Sequence, residues 1–308
     1  MKYEFKKILM YLFHPEFRIR INSKLGLYNT MDDMKYLSKL FRVSMGYKLN
    51  IEEPESLNEK LQWLKLYNRK PEYTMMVDKY KVRSYIADKI GEEYLIPLIG
   101  VWDDPDDIYF ESLPKQFVLK CNHNSGLGMC ICKDKSKLDI NNVKKELQKG
   151  LRQDYYLTGR EWPYKNVPRK IICEEYLGDN PNDYKFFCFN GEVEYVLVCS
   201  DRFDSLKETF FDKNWNIAPF KRPGIDNDTK VQKPYNLEKM IELAEILSKN
   251  IPFIRVDFYE VDNKIYFGEL TFFPASGFSG FEPEEWDFKL GELIKLQKNK
   301  TKKMIKYE

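Results

Sequence analysis

Asn190-Gly191 stands between two runs of strand-forming residues, 184–189 and 192–199. An Asn-Gly pair supplies the two left-handed backbone positions of a two-residue hairpin, so the flanking runs are predicted to pair antiparallel. Residues 253–260 and 265–271 read as a second hairpin across a short polar loop. Residues 116–121, 129–132 and 170–177 add shorter strands. Helical spacing appears elsewhere. Ser56 and Glu59 form a capping box ahead of Leu57, Leu61, Leu64 and Tyr67. Pro71 is expected to close that helix, and a second is expected over 74–90, stopping at Gly91. Residues 139–156 form a third. Leu237, Met240, Ile241, Ala244 and Leu247 mark a fourth, capped by Asn236 and ending at Asn250. Strands that pair locally, mixed with helices, give an α+β chain built on antiparallel sheets.

With 308 residues and 43% hydrophobic composition, a large core is available. Fifty basic against 48 acidic residues leave a formal charge of +2, which gives no reason to propose nucleic acid as a partner. Six cysteines without a C-x-x-C pair read as reduced core residues of a cytoplasmic protein. Two histidines argue against a zinc site or a His-based triad. No run approaches the roughly 20 apolar residues of a membrane helix. Residues 1–13 are basic and amphipathic without a cleavage site, so they do not read as a signal peptide. Two readings remain for them: a surface helix packed on its own domain, or an interfacial helix touching the inner membrane face.

Three constellations carry chemistry. Lys120 ends a strand and is followed by Asn122-His123-Asn124-Ser125-Gly126-Leu127-Gly128. Gly126 and Gly128 permit close backbone approach, Ser125 adds a hydroxyl, and backbone amides in such a loop can cradle phosphate oxygens. Strands flank it on both sides, so it is not a Walker loop. An ordinary turn beside an exposed lysine is the alternative. With few apolar anchors, residues 122–128 are expected to be mobile until a ligand fills them. The second constellation is Glu174-Glu175-Tyr176-Leu177, where a strand ends in acids. Backbone near Glu175 and Leu177 suits an adenine edge. A carboxylate suits ribose hydroxyls, Asp183 better than the strand's own acids. The alternative is two solvated acids on an edge strand.

The third lies in the last hairpin. Arg255 and Asp257 alternate on one strand face, and Glu269 and Thr271 on one face of the next. If Asp262-Asn263-Lys264 is a three-residue loop, Asp257 faces Glu269 and Arg255 faces Thr271. Opposed carboxylates repel, and a divalent cation such as Mg²⁺ would remove that cost. Arg255 would then stabilise charge on a transferring phosphoryl group. A two-residue loop would put the acids on opposite faces and defeat the argument.

Taken in order, Lys120, the Ser125–Gly128 loop, Glu174–Leu177, Arg255-Val256-Asp257 and Gly268-Glu269-Leu270-Thr271 resemble an ATP-grasp ligase. The chain is more specifically similar to the TupA-like branch, linked to teichuronopeptide and capsular polysaccharide synthesis. That similarity is carried by Leu57-Asn58-Glu59-Lys60-Leu61-Gln62-Trp63, Asp78-Lys79-Tyr80, Asp183-Tyr184-Lys185-Phe186-Phe187-Cys188-Phe189-Asn190-Gly191, Phe211-Asp212-Lys213-Asn214-Trp215 and the Arg255 and Gly268 motifs. The resemblance implies two α+β subdomains clamping ATP between antiparallel sheets: a helical region over 1–93, a lid with its phosphate loop over 94–178, and a catalytic part over 179–308. It assigns Lys120 and Lys170 to phosphates, Ser125, Gly126 and Gly128 to the phosphate loop, and Glu174, Glu175, Tyr176 and Leu177 to the adenine hinge. It assigns Asp257, Glu269 and Thr271 to Mg²⁺, and Arg255 to the transferring phosphate. Asn is usual at the position of Thr271, and a hydroxyl is a poorer ligand than an amide carbonyl. Lys185 and Arg202 are candidates for holding the acyl substrate or its phosphate.

The activity so implied is ATP-dependent joining of a carboxylate to an amine through an acylphosphate. The substrates would be a free or lipid-linked sugar acid and an amino acid or other amine. Two competing readings are a glycosyltransferase and a nucleotide-binding protein without catalysis. Against the first, Asp104-Pro105-Asp106 makes a poor Asp-x-Asp metal loop. Against the second, Lys120, Arg255, Asp257 and Glu269 are all present.

Overall fold

The structure is a computed structural model that describes residues 9–179, 181–200, 206–228 and 230–296. Most of the segment 1–13, and Arg202, therefore lie outside the described residues. In chain order the helices are α1 (Pro15–Lys24), α2 (Asp33–Met45), α3 (Leu57–Tyr67), α4 (Glu72–Val77), α5 (Val82–Lys89), α6 (Ile140–Leu151), α7 (Tyr156–Gly159), α8 (Leu237–Ser248) and α9 (Glu285–Glu292). The strands are β1 (Leu98–Trp102), β2 (Phe117–Cys121), β3 (Met129–Cys132), β4 (Ile171–Glu175), β5 (Asn182–Phe189), β6 (Glu192–Ser200), β7 (Lys207–Asp212), β8 (Phe253–Val261) and β9 (Lys264–Thr271). Among the described residues no helix is long and apolar enough to cross a membrane.

Two antiparallel sheets result, one in the order β1-β4-β2-β3 and the other β7-β6-β5-β8-β9. The α+β class is as expected. Strand alternation decides what each face does. In the smaller sheet Phe117, Leu119, Cys121, Ile171 and Cys173 pack against Val143, Leu147 and Leu151 of α6. The opposite face therefore presents Val118, Lys120, Ile172 and Glu174. In the larger sheet, Met240, Leu243, Ala244 and Leu247 of α8 share a core with Phe186, Val196, Ile254, Val256 and Phe258. On the other face of β5 and β8, Phe187, Phe189 and Phe253 lie toward the Asn190-Gly191 turn, and Asp183, Lys185 and Asp257 toward the opposite end. Asn190 and Gly191 both take positive φ, 53° and 95°, as the hairpin requires.

The capping box at Ser56 and Glu59 forms as read. Elsewhere local order differs from expectation. Pro71 opens α4 instead of closing α3, which ends at Tyr67. The expected helix over 74–90 is two helices. Asp78 leaves the helical region at φ −74°, ψ 106°, and its carboxylate accepts from the Tyr80 and Lys81 amides and, at 2.7 Å, from Asn122 Nδ2. A side chain that satisfies turn amides competes with helix continuation. The expected helix over 139–156 ends at Leu151, before the separate turn of α7. Asn236 does not cap α8; its amide instead donates to Glu260 and to the Asn263 carbonyl, both at 2.9 Å, tying the helix start to the β8–β9 hairpin.

Replacing Asp78 by alanine should leave the buried Asn122 amide without this acceptor and cost about 1–3 kcal/mol. Urea denaturation at unchanged m-value measures it. A loss below about 0.5 kcal/mol would show that the break between α4 and α5 does not depend on Asp78.

Candidate active site between the two sheets

The centre of the site is the β8–β9 hairpin, and its register holds a surprise. The loop has two residues, Asp262 and Asn263, both at positive φ, and Val261 pairs with Lys264. Continued regularly, that pairing would set Asp257 opposite Gly268 and turn Glu269 to the other face. Between Phe258 and Asp257 the register shifts by one, so that Phe258 pairs with Phe267 but Asp257 with Glu269, and Arg255 with Thr271. Gly268 is the extra residue of this bulge. A Cβ there would stand 3.1 Å from the Asp257 carbonyl oxygen, closer than a side chain ordinarily sits, which explains the glycine. The two acids oppose each other as expected, by a bulge and not by a three-residue loop.

Their repulsion is relieved by cationic side chains. Arg255 Nε and Nη2 donate to the two Asp257 oxygens at 2.7 Å each, and Nη2 also reaches Glu269 Oε1 and Thr271 Oγ1 at 3.0 Å. Lys185, directly opposite Asp257 on β5, places Nζ 2.6 Å from Asp257 Oδ2 and 2.7 Å from Asp183 Oδ2. The like-charge pairing thus does not itself require a metal ion. Asp183, expected against a ribose, sits instead beside Lys185 in this centre.

Burial opposes ionisation of Glu269, but Lys79, Arg255 and Lys185 outweigh it and bring the carboxyl down to about 2. Burial likewise opposes the charge on Lys185, yet Asp257 holds its pKa above the ordinary value. Asp257, Glu269 and Thr271 offer only oxygen donors, which suits a hard cation. Both Asp257 oxygens are held by Arg255 and Lys185, so a cation gains access only if those groups move onto another anion. Among the described residues no group of three or more His, Cys, Asp or Glu side chains forms a ready metal cage.

The smaller sheet brings the second half. Lys120 and Glu174 share its open face and pair at 2.5 Å, with Arg83 of α5 at 3.3 Å from the other Glu174 oxygen. Lys170 lies on the same face, but its Nζ is 2.6 Å from Asp103. Glu175 is exposed, and the Tyr176 hydroxyl donates to Asp179, while Leu177 is half-buried just beyond the strand. Lys79, in the break between α4 and α5, joins the halves: its Nζ is 2.8 Å from the Asn124 carbonyl and 3.6 Å from Glu269 Oε2. Burial lowers its pKa, and Glu269 acts to restore it. Sequence reasoning did not assign Lys79 to the site, although it noted Asp78-Lys79-Tyr80. The usable signal was an Asp able to form a local turn inside an apparent helix.

The loop after Lys120 is less free than its composition suggests. Asn122, His123 and Asn124 are buried: Asn122 bonds Asp78 and the Pro168 carbonyl, His123 Nε2 lies 3.1 Å from the Gln153 carbonyl, and Asn124 reaches the Gly150 carbonyl. Gly128 packs so tightly that a Cβ would lie 2.8 Å from Cys121 Sγ and from Gly150 Cα, whereas Gly126 at φ +78° has open space. Only Ser125 and Gly126 form an exposed tip.

The family model described as TupA-like ATPgrasp matches residues 59–295. The chain belongs to the TupA-like ATP-grasp family. No curated protein matches it. Solved structures with some likeness to this TupA-like chain include a D-alanine–D-alanine ligase from Bacillus anthracis complexed with ATP, at 14% identity and TM-score 0.39; 64% of this chain and 53% of the ligase are covered. The chain thus spans about half that ligase's length. A D-alanine–D-alanine ligase from Helicobacter pylori has 15% identity and TM-score 0.43, covering 77% of this chain and 68% of the other. The ATP-grasp ligase PsnB, complexed with a phosphomimetic variant of its minimal precursor, Mg and ADP, has 10% identity and TM-score 0.42, covering 88% and 72%.

Hydrogen exchange on adding ATP and Mg²⁺ should slow at residues 125–127, with 122–124 already protected before addition. An unprotected backbone amide at Asn122, which donates to the Lys170 carbonyl, would contradict the anchoring described. A second outcome concerns pH, without nucleotide or divalent cation. The folded-state pKa of Glu269 is depressed, so its stabilising effect is full above the unfolded value near 4.5 and fades as pH falls toward about 2. The stability gap between wild type and Glu269→Gln should therefore close over that interval. A gap that stays constant down to pH 2 would show that the ion pairs of Glu269 do not stabilise the fold.

Proposed function

We propose that this TupA-like protein binds ATP with Mg²⁺ and joins a carboxylate to an amine through an acylphosphate, as a step of surface polysaccharide assembly. The acid substrate is a sugar acid, free or lipid-linked, and the amine an amino acid or a similar compound. The observation that carries this reading is that Lys79, Lys120, Lys185 and Arg255 are each paired with an acid, and that Lys79 feels Lys120 and Glu174 of one sheet and Glu269 of the other. Side chains paired in this way are ready to exchange their carboxylate partners for phosphate oxygens.

In this reading Lys120 and Lys79 hold the nucleotide phosphates as point charges, and the Ser125-Gly126 tip closes over them. Glu174 to Leu177 border the adenine, and Lys170 reaches the phosphates after leaving Asp103. Mg²⁺, held by Asp257 and Glu269 with Thr271 beside them, would neutralise phosphate charge and orient the transferring group. Arg255 presents a planar fork to the transferring phosphoryl oxygens, where charge develops. Lys185 steadies the incoming carboxylate. No covalent protein nucleophile is needed, because positioning and electrostatics suffice for phosphoryl transfer.

The test is ADP release with uronic acids and amines offered singly and in pairs. ADP formed only when both are present supports the ligase, and UDP released from a sugar nucleotide would support a glycosyltransferase. With the best pair, Asp257→Asn and Glu269→Gln should each lower turnover by at least about 10²–10³. The double variant should lose little more, since both acids serve one ion. Near-normal rates in both single variants would defeat the assignment.

A further inference from the structure

Two groups of side chains meet at Glu269. One is Lys79 with Lys120 and Glu174, assigned above to the nucleotide. The other surrounds a carboxylate that this assignment leaves unused, Glu161, in the segment after α7. Glu161 is 3% exposed, and its Oε1 accepts a hydrogen bond from Ser276 Oγ. Ser276 lies in the turn Pro274–Gly277, which begins shortly after Thr271 and in which Ala275 and Ser276 hold positive φ of 48° and 53°. Non-glycine residues are held there only when their surroundings over-determine the backbone. The restraints come from α3: Gln62 Nε2 donates to the Ser276 and Gly277 carbonyls, and Lys65 Nζ to the Ser276 and Gly159 carbonyls at 2.7 Å each. Tyr155 and Tyr164, half-buried with rings edge to face at 4.8 Å, complete the surroundings. The charges of Glu161, Glu269 and Arg255 all act on both tyrosines.

We propose that Glu161, with Tyr155 and Tyr164 beside it, binds the ammonium group of the amine substrate and takes its proton as the amine attacks the acylphosphate; this rests on the ligase reading. A buried carboxylate near enough to two tyrosine rings for its charge to act on them suits an alkylammonium ion, because both the charge and ring faces attract such an ion. The charged groups facing Glu161 are Lys65 from α3, Arg255 from β8 and Glu269 from β9. In the absence of an amine Lys65 compensates the buried charge. Burial pushes the Glu161 carboxyl up, against the pull of Lys65, and a raised pKa makes a carboxylate a stronger base.

The step balances as follows. One ammonium proton passes to a Glu161 oxygen and frees the nitrogen lone pair. The nitrogen attacks the acyl carbon, the C–N bond forms, and the carbon–oxygen bond to phosphate breaks. The second proton lost by nitrogen leaves with the phosphate, and Glu161 returns its own proton to solvent.

The experiment compares two nucleophiles in the full-length protein, with ATP, Mg²⁺ and a uronic acid. Hydroxylamine is uncharged at neutral pH, so it needs neither an anion to bind it nor a base to free its lone pair. Glu161→Gln should keep hydroxamate formation within a few-fold of wild type. With an amino acid as the amine it should lose amide formation by roughly 10²–10⁴, and recover part of it as pH rises and the free amine accumulates. Equal loss with both nucleophiles would overturn the proposal, leaving Glu161 as a structural partner of Lys65 and Ser276. Unchanged amide formation would overturn it too. If wild type gives no hydroxamate with any acid, the ligase reading itself fails and this assignment falls with it; hydroxamate from wild type with no special loss in Glu161→Gln sinks this assignment alone.

Discussion

The guanidinium of Arg255 holds together an arrangement that a β-sheet would otherwise reject. Asp257 and Glu269 face each other on adjacent strands, and Asp183 adds a third acid one strand away. Arg255 bonds both oxygens of Asp257 and one of Glu269, while Lys185 bridges Asp257 and Asp183. Removing one member of a buried ion network leaves an uncompensated charge, which commonly costs about 3–5 kcal/mol. The phenylalanines toward the other end of the same sheet face, Phe187, Phe189 and Phe253, provide apolar burial against which such a polar end can be maintained.

A network of this kind also governs what can bind. Its acids and bases satisfy one another, so a ligand that offers only a cation, or only an anion, must break pairs without replacing them. Under the proposed function, a phosphate group accompanied by a divalent cation would replace both kinds at once: its oxygens would take Arg255, Lys185 and Lys79, and the cation the released carboxylates. The smaller sheet repeats the device with Lys120 and Arg83 on Glu174. Lys79 couples the two, since one ammonium touches both the Asn124 carbonyl and Glu269.

What the sequence disclosed follows from the range of the interactions involved. The Asn190-Gly191 hairpin and the Ser56–Glu59 capping box depend on residues within a few positions of each other, and both form as read. The opposition of Asp257 and Glu269 was legible for a partly mistaken reason. It requires a bulge at Gly268, and a glycine in a strand does not announce whether it is a bulge or merely a weak position. Lys79 was obscured because the apolar spacing of 74–90 runs through the point where Asp78 breaks the helix, and the partner that secures the break, Asn122, is 44 residues away. The same distance effect misled the reading of 122–124, polar in composition but anchored by α6, Lys79 and the segment before β4.

Glu161 shows the limit most plainly. No neighbouring residue marks it, since its meaning comes from Lys65 in a helix well before it and Ser276 in a turn 115 residues after it. Gln62 and Lys65 of α3 also bond the turn that carries Ser276, which ties an N-terminal helix to the surroundings of Glu161. Leu57, Leu61 and Leu64 of α3 join the core of the larger sheet, while Gln62 and Lys65, polar and fully buried, reach the carbonyls of the turn after β9 and of Gly159, and Lys65 donates also to Gln62 Oε1. Packing and polar satisfaction therefore fix α3 to the site jointly. A helix held by leucines alone could slide by a fraction of a turn, but one whose buried lysine must find three acceptors cannot, and the turn it grips keeps the same precision.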